Sequence, residues 1–370
     1  MTKMTKKKKR VFISAIAVLL AAAAVYLIFF SSLFWYNRMQ PNHIPERRSY
    51  QDEVQTGTDM PVDKYGIWPT EDFTPGQAPK WLRPGWIKTF YAKTVYNEND
   101  WMDGFLVLRG GKVLFEEYYN GYDADTPHYM ASVTKSVVSA LVGIAIGEGY
   151  IHGIEDKVLD YFPEAPSLLG WEESKRDMTI EHLLTMTSGI TTDNDDDAWD
   201  GYFAENQKDS ALYAFLLPQA YAPGKKYSYD SMVPCILLGI IERASGQNLL
   251  DYANEKLFGP LGMDSVEWGT TADGLPIGGF GIDMTPRDMA RFGYLYLNYG
   301  RWEEQQVIPA DYVVRTPPRS IGPTAYGYMF WNNRRMPFTG SYEANGADGQ
   351  FICIAPFLDM VYVCTGSHKN

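Results

Sequence analysis

The clearest pattern along the chain is a segment in which apolar residues fall on nearly every side. It runs from Val137 to Ile146 and follows the stretch Ser132-Val133-Thr134-Lys135-Ser136. Surface helices carry one apolar face, so a segment that is apolar all round predicts a helix buried in the core. We therefore expect a central buried helix that begins near Ser132.

A β-hairpin is predicted directly before this helix. Two apolar runs, 105–108 and 113–115, are separated by Gly110-Gly111. A two-residue glycine turn between apolar runs is typical of a hairpin. The second strand leads through residues 122–130 into Ser132, so the hairpin and the central helix should lie close together.

The pattern after the central helix is helical for a long stretch. Thr179 and Thr285 are candidate helix caps, and the second is followed by Pro286 and by an acidic residue three positions after the cap. The run 237–243 predicts a further helix that ends at Ser245-Gly246. Strands return only near the end of the chain, at 326–331, 351–355 and 361–365. This order predicts one sheet built from distant segments, with a helical domain inserted in it.

The first thirty residues have the pattern of a membrane anchor. Residues 11–30 are uncharged and form a run long enough to span the roughly 30 Å hydrocarbon core of a bilayer. Lys and Arg residues precede this run, which predicts a cytoplasmic N-terminus and an extracytoplasmic body. A cleaved signal peptide is the alternative, but the alanines at 21–24 are followed by six more apolar or aromatic residues instead of a cleavage site. We expect an uncleaved single-pass anchor in the cell membrane.

The amino-acid composition is that of a globular protein with an acidic surface. Of the 370 residues, 45% are hydrophobic and 15% aromatic, which excludes a disordered chain. The formal charge is −12, and because the first ten residues carry six positive charges, the remainder carries −18. Nucleic-acid binding needs a basic surface and is therefore not expected.

Cysteine and histidine usage argues against a metal site or a disulfide framework. The three cysteines have no metal-ligand spacing, and the five histidines are scattered along the chain. Cys353 and Cys364 lie in two predicted strands where they could share a face without being opposed, so no bridge is expected. We predict no metal and no cofactor.

Ser132 and Lys135 form the only Ser-x-x-Lys sequence in the chain. Residues three apart share a helix face, so the hydroxyl and the amine should be neighbours. A serine becomes nucleophilic when a base removes its proton, and burial together with the positive helix end favours the neutral, basic form of a lysine. A capping serine beside a lysine whose stem lies along the surface is the alternative interpretation.

An acidic stretch follows the predicted helix that ends at Ser188-Gly189. It contains Asp193, Asp195, Asp196 and Asp197. A solvated loop is the expected structure, and a calcium site is the alternative, although the spacing is not that of an EF-hand.

Six short sequence motifs, in their residues and in their order along the chain, resemble those of the serine β-lactamase and penicillin-binding superfamily. The resemblance is to its class C-like branch, which includes esterases, D-amino-acid peptidases and 6-aminohexanoate-dimer hydrolases, and it covers about residues 100–366. The motifs are Ser132-Val133-Thr134-Lys135-Ser136, Leu183-Leu184-Thr185-Met186-Thr187-Ser188-Gly189, Pro223-Gly224-Lys225-Lys226-Tyr227-Ser228-Tyr229, Phe258-Gly259-Pro260-Leu261-Gly262-Met263, Met284-Thr285-Pro286-Arg287-Asp288-Met289 and Gly346-Ala347-Asp348-Gly349-Gln350.

The resemblance implies an α/β (α+β) fold of the β-lactamase/transpeptidase type, with an antiparallel sheet flanked by helices and an inserted all-helical domain. We divide the chain into a basic tail (1–10), the transmembrane anchor (11–30), a tether and wrapping segment (31–100) and a hydrolase domain (101–370). Within that domain the sheet should come from about 101–130 and 320–370, and the helical part from about 131–319. Relatives place a helix after the last strand, so we expect one sheet face to be less covered here.

The resemblance also implies roles for individual residues. Ser132 corresponds to the nucleophile and Lys135 to the amine that shuttles its proton. The family's second motif is Tyr-x-Asn or Tyr-x-Ser after a Pro-Gly turn, which places its tyrosine at Tyr229 and its third residue at Ser231. Tyr227 is the alternative position for the tyrosine.

The third family motif departs from its usual sequence. Relatives carry Lys-Thr-Gly, whereas this chain has Ala347-Asp348-Gly349. The missing lysine normally holds a substrate carboxylate, and an aspartate repels one. Gly349 still lets the backbone approach closely, and we expect the N–H groups of Ser132 and Gln350 to form the oxyanion hole. A turn residue is the alternative interpretation of Asp348.

These observations predict a membrane-anchored serine hydrolase that cleaves a small-molecule ester or amide through an acyl-enzyme on Ser132. The expected substrate is neutral or cationic. A penicillin-binding or β-lactamase-like acyl-binding sensor with little turnover is the first alternative. A structural envelope protein with a degenerate site is the second, and the intact Ser132, Lys135 and Tyr229 argue against it.

Overall fold

Seven antiparallel strands form the central sheet, and they come from the two ends of the described chain. The computed structural model describes residues 102–192, 196–317, 326–332 and 340–367. Its strands are β1 (Met102–Arg109), β2 (Lys112–Tyr118), β3 (His128–Tyr129), β4 (Glu267–Trp268), β5 (Ile282–Met284), β6 (Arg301–Trp302), β7 (Gln305–Gln306), β8 (Tyr326–Gly327), β9 (Phe330–Asn332), β10 (Tyr342–Asn345), β11 (Phe351–Ala355) and β12 (Met360–Gly366). The order in the central sheet is β2-β1-β12-β11-β10-β9-β8.

The α-helices that the structure describes lie between β3 and β8. They are α1 (Val133–Gly147), α2 (Val158–Tyr161), α3 (Ile180–Leu184), α4 (Asp196–Tyr202), α5 (Ser210–Leu216), α6 (Val233–Ser245), α7 (Leu249–Ala253), α8 (Pro286–Leu297) and α9 (Ala310–Arg315). Short 3-10 turns lie at Ala165–Ser167, Glu173–Asp177, Ala347–Gly349 and Pro356–Leu358, and a π-helical turn lies at Asn254–Phe258.

The predicted sheet from distant segments is confirmed. β1 pairs antiparallel with β12 near the end of the chain, so that Phe105 lies opposite Cys364. The predicted glycine turn joins β1 to β2, with φ of 56° at Gly110 and 68° at Gly111. Both residues lie in the left-handed region that a tight hairpin turn requires and that glycine adopts without strain.

The predicted central helix is also confirmed. Every residue of α1 from Val133 to Ala145 is buried. The predicted caps are present, because the side chains of Thr179 and Thr285 accept hydrogen bonds from the backbone N–H groups of His182 and Asp288. Gly246 ends α6 with φ of 68°, as expected for a glycine after the last helical turn.

The strand predicted over 326–331 is a hairpin in the structure. β8 and β9 pair with each other, and Tyr328 and Met329 form the tip with φ of 45° and 65°. Gly327 directly before the tip is the one turn-forming residue there, and Tyr328 and Met329 themselves are not, so the turn was not predicted. Contacts from other elements hold the tip in place: Ser136 Oγ donates to the Met329 carbonyl at 2.7 Å, and Met329 N–H donates to the Leu184 carbonyl at 3.0 Å.

Short strands also occur within residues 131–319, which we predicted to be helical. β5 lies between β3 and β4 in a small three-stranded sheet, and β6 pairs with β7. The small sheet joins β3, which leads directly into α1, to the segment before α8.

α8 covers one face of the central sheet. Its Gly293 packs so closely on β11 and β12 that a Cβ there would lie 2.6 Å from Val361 Cγ1 and 2.7 Å from Ile352 Cγ2. A second cluster of buried apolar side chains lies on the other face and includes Phe105, Phe351 and Tyr362. Cys353 lies opposite Tyr362 rather than Cys364, and the three cysteines are free and buried.

The predicted basic tail, membrane anchor and tether (1–100) lie outside the described residues. Among the helices that the structure describes, none combines the length and the apolar character needed to cross a bilayer.

Candidate active site

Helix α1 places Ser132 and Lys135 side by side. Ser132 is the residue at the helix cap, and Lys135 is one turn further on. Lys135 Nζ lies 2.9 Å from Ser132 Oγ. The lysine is only 1% exposed, whereas Ser132 is half-buried and so accessible from the cleft. The hydroxyl and the amine are therefore in direct contact, as the Ser-x-x-Lys spacing predicts.

Two further groups orient the amine. Lys135 Nζ lies 2.7 Å from the Gly279 carbonyl and 3.1 Å from Ser231 Oγ. A carbonyl can only accept a hydrogen bond, and the Ser231 hydroxyl can also accept one. When the amine is neutral it has two N–H donors for these acceptors and one lone pair, which then faces Ser132. This arrangement suits a general base that removes the proton of the Ser132 hydroxyl.

The Gly279 carbonyl reaches Lys135 because the backbone there lies against the segment before α6. A Cβ at position 279 would lie 2.5 Å from the Ser231 carbonyl oxygen, and one at position 278 would lie 2.8 Å from the Pro234 carbonyl carbon. Only glycine allows this approach. We did not predict a role for Gly279, although the Gly278-Gly279 pair is a sequence signal for close backbone contact.

Tyr229 contacts the lysine through its ring. The ring centroid lies 4.8 Å from Lys135 Nζ. Tyr227, the alternative position, instead contacts the rings of Tyr326 and Trp331, with centroids 5.7 Å and 6.4 Å away. The geometry therefore favours Tyr229 over Tyr227 as the tyrosine of the second motif.

A buried carboxylate fixes the loop that carries Tyr229 and Ser231. Asp230 lies between them in sequence and is fully buried. It accepts hydrogen bonds from the Thr192 N–H, from Thr192 Oγ1 at 2.9 Å and from the Met232 N–H at 2.8 Å. Hydrogen bonds to a carboxylate are stronger than those between neutral groups, so Asp230 holds this loop firmly. Sequence analysis did not identify Asp230.

The third motif forms a tight turn between β10 and β11. Asp348 has φ of 60° and Gly349 has φ of 90°. The turn packs beside the start of α1, since a Cβ at Gly346 would lie 2.4 Å from the Met130 carbonyl oxygen. The third motif is therefore next to the nucleophile, as the resemblance implies.

The two predicted oxyanion donors differ in their hydrogen bonding. Within the described residues, the Ser132 N–H donates to no protein acceptor, as expected at the start of a helix. The Gln350 N–H instead donates to the Ala347 carbonyl at 3.3 Å, and the Gln350 side chain donates to the Gly366 carbonyl at 2.5 Å. The Ser132 N–H is therefore available for an oxyanion, whereas the Gln350 N–H is engaged in a long hydrogen bond within the turn.

The carboxylates of Asp283 and Asp348 lie near Tyr129, in the strand that leads into Ser132. Burial raises the pKa of Tyr129, and the nearby carboxylates of Asp283 and Asp348 raise it further. Burial also raises the pKa of Asp283, with an added contribution from Glu267, its partner across the small sheet. Asp348 therefore adds to an acidic region beside the nucleophile, which disfavours substrate carboxylates.

The part of the chain that the structure describes contains no set of side chains that could bind a metal ion. There, no three His, Cys, Asp or Glu side chains are grouped as metal ligands would be. Of the acidic stretch, residues 193–195 lie outside the described residues. The predicted loop is wrong for Asp196 and Asp197, which form the first turn of α4, where the positive end of the helix dipole favours acidic side chains.

Comparison with known proteins agrees with this geometry. A family model described as Beta-lactamase matches residues 102–365. The 6-aminohexanoate-dimer hydrolase of Paenarthrobacter ureafaciens is 30% identical over 210 residues, which are 54% of this chain and 52% of that protein. The D-aminopeptidase of Brucella anthropi is 28% identical over 173 residues, 44% of this chain and 31% of that protein. The alignments thus span about half of the first relative and a third of the second.

Solved structures share the fold. A candidate 6-aminohexanoate-dimer hydrolase from Bacillus anthracis superposes with a TM-score of 0.62 at 23% identity, covering 83% of this chain and 84% of that one. A penicillin-binding protein from Bacillus halodurans superposes with a TM-score of 0.60 at 17% identity, covering 77% of this chain and 95% of that one. These similarities establish the β-lactamase/transpeptidase-like architecture.

Proposed function

The chain belongs to the Beta-lactamase family, and from that premise we propose that it is a serine hydrolase that cleaves an ester or amide through an acyl-enzyme on Ser132. The observation that carries the proposal is the contact of 2.9 Å between Lys135 Nζ and Ser132 Oγ in a buried setting. A hydroxyl paired with an oriented amine is the arrangement that nucleophilic catalysis by serine requires.

The reaction proceeds by double displacement. Lys135 takes the proton of the Ser132 hydroxyl as its oxygen attacks the substrate carbonyl. The Ser132 N–H stabilises the oxyanion of the tetrahedral intermediate, and the Gln350 N–H joins it when the turn bond to Ala347 opens. Collapse of the intermediate breaks the bond to the leaving group, which takes a proton from Lys135 or Tyr229. Water then attacks the acyl group, and Ser132 recovers its proton.

We propose a neutral or cationic substrate, with an amide as the first choice. Two matched relatives carry the names of amide hydrolases, a 6-aminohexanoate-dimer hydrolase and a D-aminopeptidase. Ala347 stands where a lysine would hold a carboxylate, and the next residue, Asp348, would repel one, so penicillins and D-Ala-D-Ala peptides fit less well.

A serine-directed fluorophosphonate probe tests the proposal. Labelling of the wild-type protein should map to the peptide that contains Ser132 and should be lost in Ser132→Ala. Ser167→Ala is the matched control, because Ser167 is exposed in a 3-10 turn and lies outside the site. Labelling of Ser132→Ala equal to that of the wild type would exclude Ser132 as the nucleophile.

An acyl-binding sensor is the second candidate function. It is favoured by the missing lysine of the third motif and by the turn bond of the Gln350 N–H, which leaves one oxyanion donor engaged. Such a protein would release one equivalent of product in a burst and then turn over slowly. Sustained turnover of many equivalents after the burst supports the hydrolase instead.

We also propose that residues 11–30 anchor the protein in the cell membrane with the catalytic domain outside the cytoplasm. The apolar run and the preceding positive charges support this proposal. Protease treatment of intact cells should remove the catalytic domain, and the purified membrane form should retain its N-terminal residues. A mature protein that begins after residue 30 would favour a cleaved signal peptide.

A further inference from the structure

An aromatic surface begins at Lys135 and continues through the rings next to it. Tyr229 lies over the amine, and Trp331 packs on Tyr229 with ring centroids 5.6 Å apart. Tyr326 completes the cluster, 4.7 Å from Trp331 and 5.8 Å from Tyr229. We call Tyr229, Tyr326 and Trp331 the first aromatic wall. Tyr229 and Trp331 are half-buried, so part of each side chain is accessible to solvent.

The first aromatic wall is held by the β8–β9 hairpin. The tip of this hairpin is anchored by the bonds of Met329 to Ser136 and Leu184 described above. Ser136 is the residue next to Lys135, so the same helical turn that carries the amine also fixes the hairpin that carries Trp331. The wall is therefore in place before a substrate binds, which lowers the entropic cost of binding.

A second group of rings begins beside the other acceptor of Lys135. Phe280 directly follows Gly279, and its ring lies 5.5 Å from that of Trp199. Trp199 stacks on Phe203 with centroids 5.9 Å apart, and Phe203 is 41% exposed. We call Trp199, Phe203 and Phe280 the second aromatic wall. Phe203 is the exposed ring of this wall, and Trp199 and Phe280 are half-buried, so the wall presents part of its apolar area to solvent.

The third side of the site carries negative charge. The carboxylates of Asp283 and Asp348 both lie near Tyr129, and Glu267 neighbours Asp283. A substrate group that carries a carboxylate would be repelled here. An uncharged apolar group can lie on the aromatic walls without this repulsion and without the cost of burying a charge.

We infer that the substrate carries a bulky, uncharged apolar group, such as a phenylalkyl group, on the acyl side of the scissile bond and that this group binds between the two aromatic walls. The inference rests on the proposed function and specifies its substrate class. Aromatic rings bind apolar groups through the large area they remove from water and through ring stacking. Trp331 and Phe203 are then residues that determine specificity.

The test compares two esters with the same leaving group, p-nitrophenyl acetate and p-nitrophenyl 3-phenylpropanoate. After correction for their uncatalysed rates, the wild type should favour the phenylpropanoate in kcat/KM by about tenfold or more. Trp331→Ala and Phe203→Ala should each lower this preference by about tenfold, and Trp331→Phe should retain most of it. The ratio of the two esters cancels a general loss of active protein, which a merely structural role of Trp331 would cause.

Phe357→Ala is the matched control, because Phe357 is 61% exposed in the turn between β11 and β12, at the far end of β11 from the third motif. It should leave the ester preference unchanged. A preference that is absent in the wild type, or unchanged in both Trp331→Ala and Phe203→Ala, overturns the inference.

Binding separates this inference from the proposed function. If the wild type neither hydrolyses the two esters nor reacts with a fluorophosphonate, the proposed function fails. The walls are then tested by titration calorimetry with 3-phenylpropanamide and acetamide. Preferential binding of the phenyl compound that is weakened in Trp331→Ala supports the inference, and equal or undetectable binding of both overturns it.

Discussion

Two lysines are buried among the residues that the structure describes, and their partners give them different roles. Lys135 is 1% exposed and contacts the Ser132 and Ser231 hydroxyls as well as one carbonyl, whereas Lys175 is fully buried and donates to the carbonyls of Phe215 and Leu217 at 2.9 Å and 2.5 Å. Burial lowers the pKa of Lys175 to about 8. The sequence identified Lys135 because a serine precedes it by one helical turn, while the partners of Lys175 are about 40 residues away and leave no local signal.

Substitution of each lysine by methionine should therefore have opposite effects. Lys135→Met should lower kcat/KM by about 10³-fold because it removes the general base, and it leaves one buried carbonyl, that of Gly279, without this donor. Lys175→Met should leave kcat/KM of the folded protein near the wild-type value but lower stability by about 1–3 kcal/mol, since two buried carbonyls lose their donor. Ester hydrolysis and thermal unfolding measure the two effects. A Lys135→Met variant with full activity would contradict the assignment.

His128 should make stability depend on pH. It is buried next to Asp103, with Nδ1 4.0 Å from Oδ2, and its ring stacks on Tyr122. Burial lowers the pKa of His128, and Asp103 opposes this shift only in part. The unfolded chain therefore binds the proton first as the pH falls, so the contribution of His128 is complete above about pH 6.5 and is lost below it.

Urea unfolding at pH 7.5 and pH 5.0 measures this dependence. The wild type should lose more unfolding free energy between these values than His128→Gln, which cannot take up the proton. An equal loss in both proteins would show that other groups cause the pH dependence.

At the scale of elements, the sequence predicts the individual helices and turns of the site well. It predicts the contacts between them poorly. The buried α1, the capped α3 and α8, and the Gly110-Gly111 turn follow from local patterns of apolar, capping and glycine residues. The β8–β9 hairpin does not, because the two residues at its tip are not turn-forming and are held by long-range contacts. The loop around Gly279 does carry a signal, the Gly278-Gly279 pair, but its contact with Lys135 is between residues far apart in sequence and was not predicted.

Gly279→Ala tests whether the close approach of this loop matters for catalysis. The added Cβ would lie 2.5 Å from the Ser231 carbonyl oxygen, so the loop must move and take its own carbonyl away from Lys135. We expect kcat/KM to fall by about 10²-fold, as small displacements of catalytic groups do. The matched control is Gly269→Ala in the strand-to-loop segment before it, where the nearest atom to a Cβ is 3.5 Å away. Equal activity of both variants would show that the Gly279 carbonyl does not position the amine.

At the scale of the whole molecule, several contacts join the strands to the helical part. α8 packs on β11 and β12 through Gly293, and the small sheet joins β3 to β5 beside the nucleophile. The sequence predicted that one sheet is built from both ends of the chain, because apolar strands occur only there in long runs. It did not predict the small sheet, whose strands of two or three residues are too short to show an alternating pattern.

Gly293→Ala should destabilise the protein even though alanine is the better helix former. A Cβ at this position would lie 2.6 Å from Val361 Cγ1 and 2.7 Å from Ile352 Cγ2, and overpacking of this kind costs about 1–3 kcal/mol. Helix propensity alone would stabilise the variant by about 1 kcal/mol, so the sign of the change decides between the two effects. Urea unfolding gives that sign, and Val361→Ala in the same background should recover part of the loss.

The central claim is that Ser132 becomes acylated during turnover, and intact-protein mass spectrometry after rapid mixing with p-nitrophenyl 3-phenylpropanoate tests it directly. The wild type should gain the mass of one acyl group, located by peptide mapping on Ser132 and released at the rate of turnover. Ser132→Ala should gain none and hydrolyse nothing. Turnover by Ser132→Ala at the wild-type rate, or an acyl group carried on a different residue, would contradict the account.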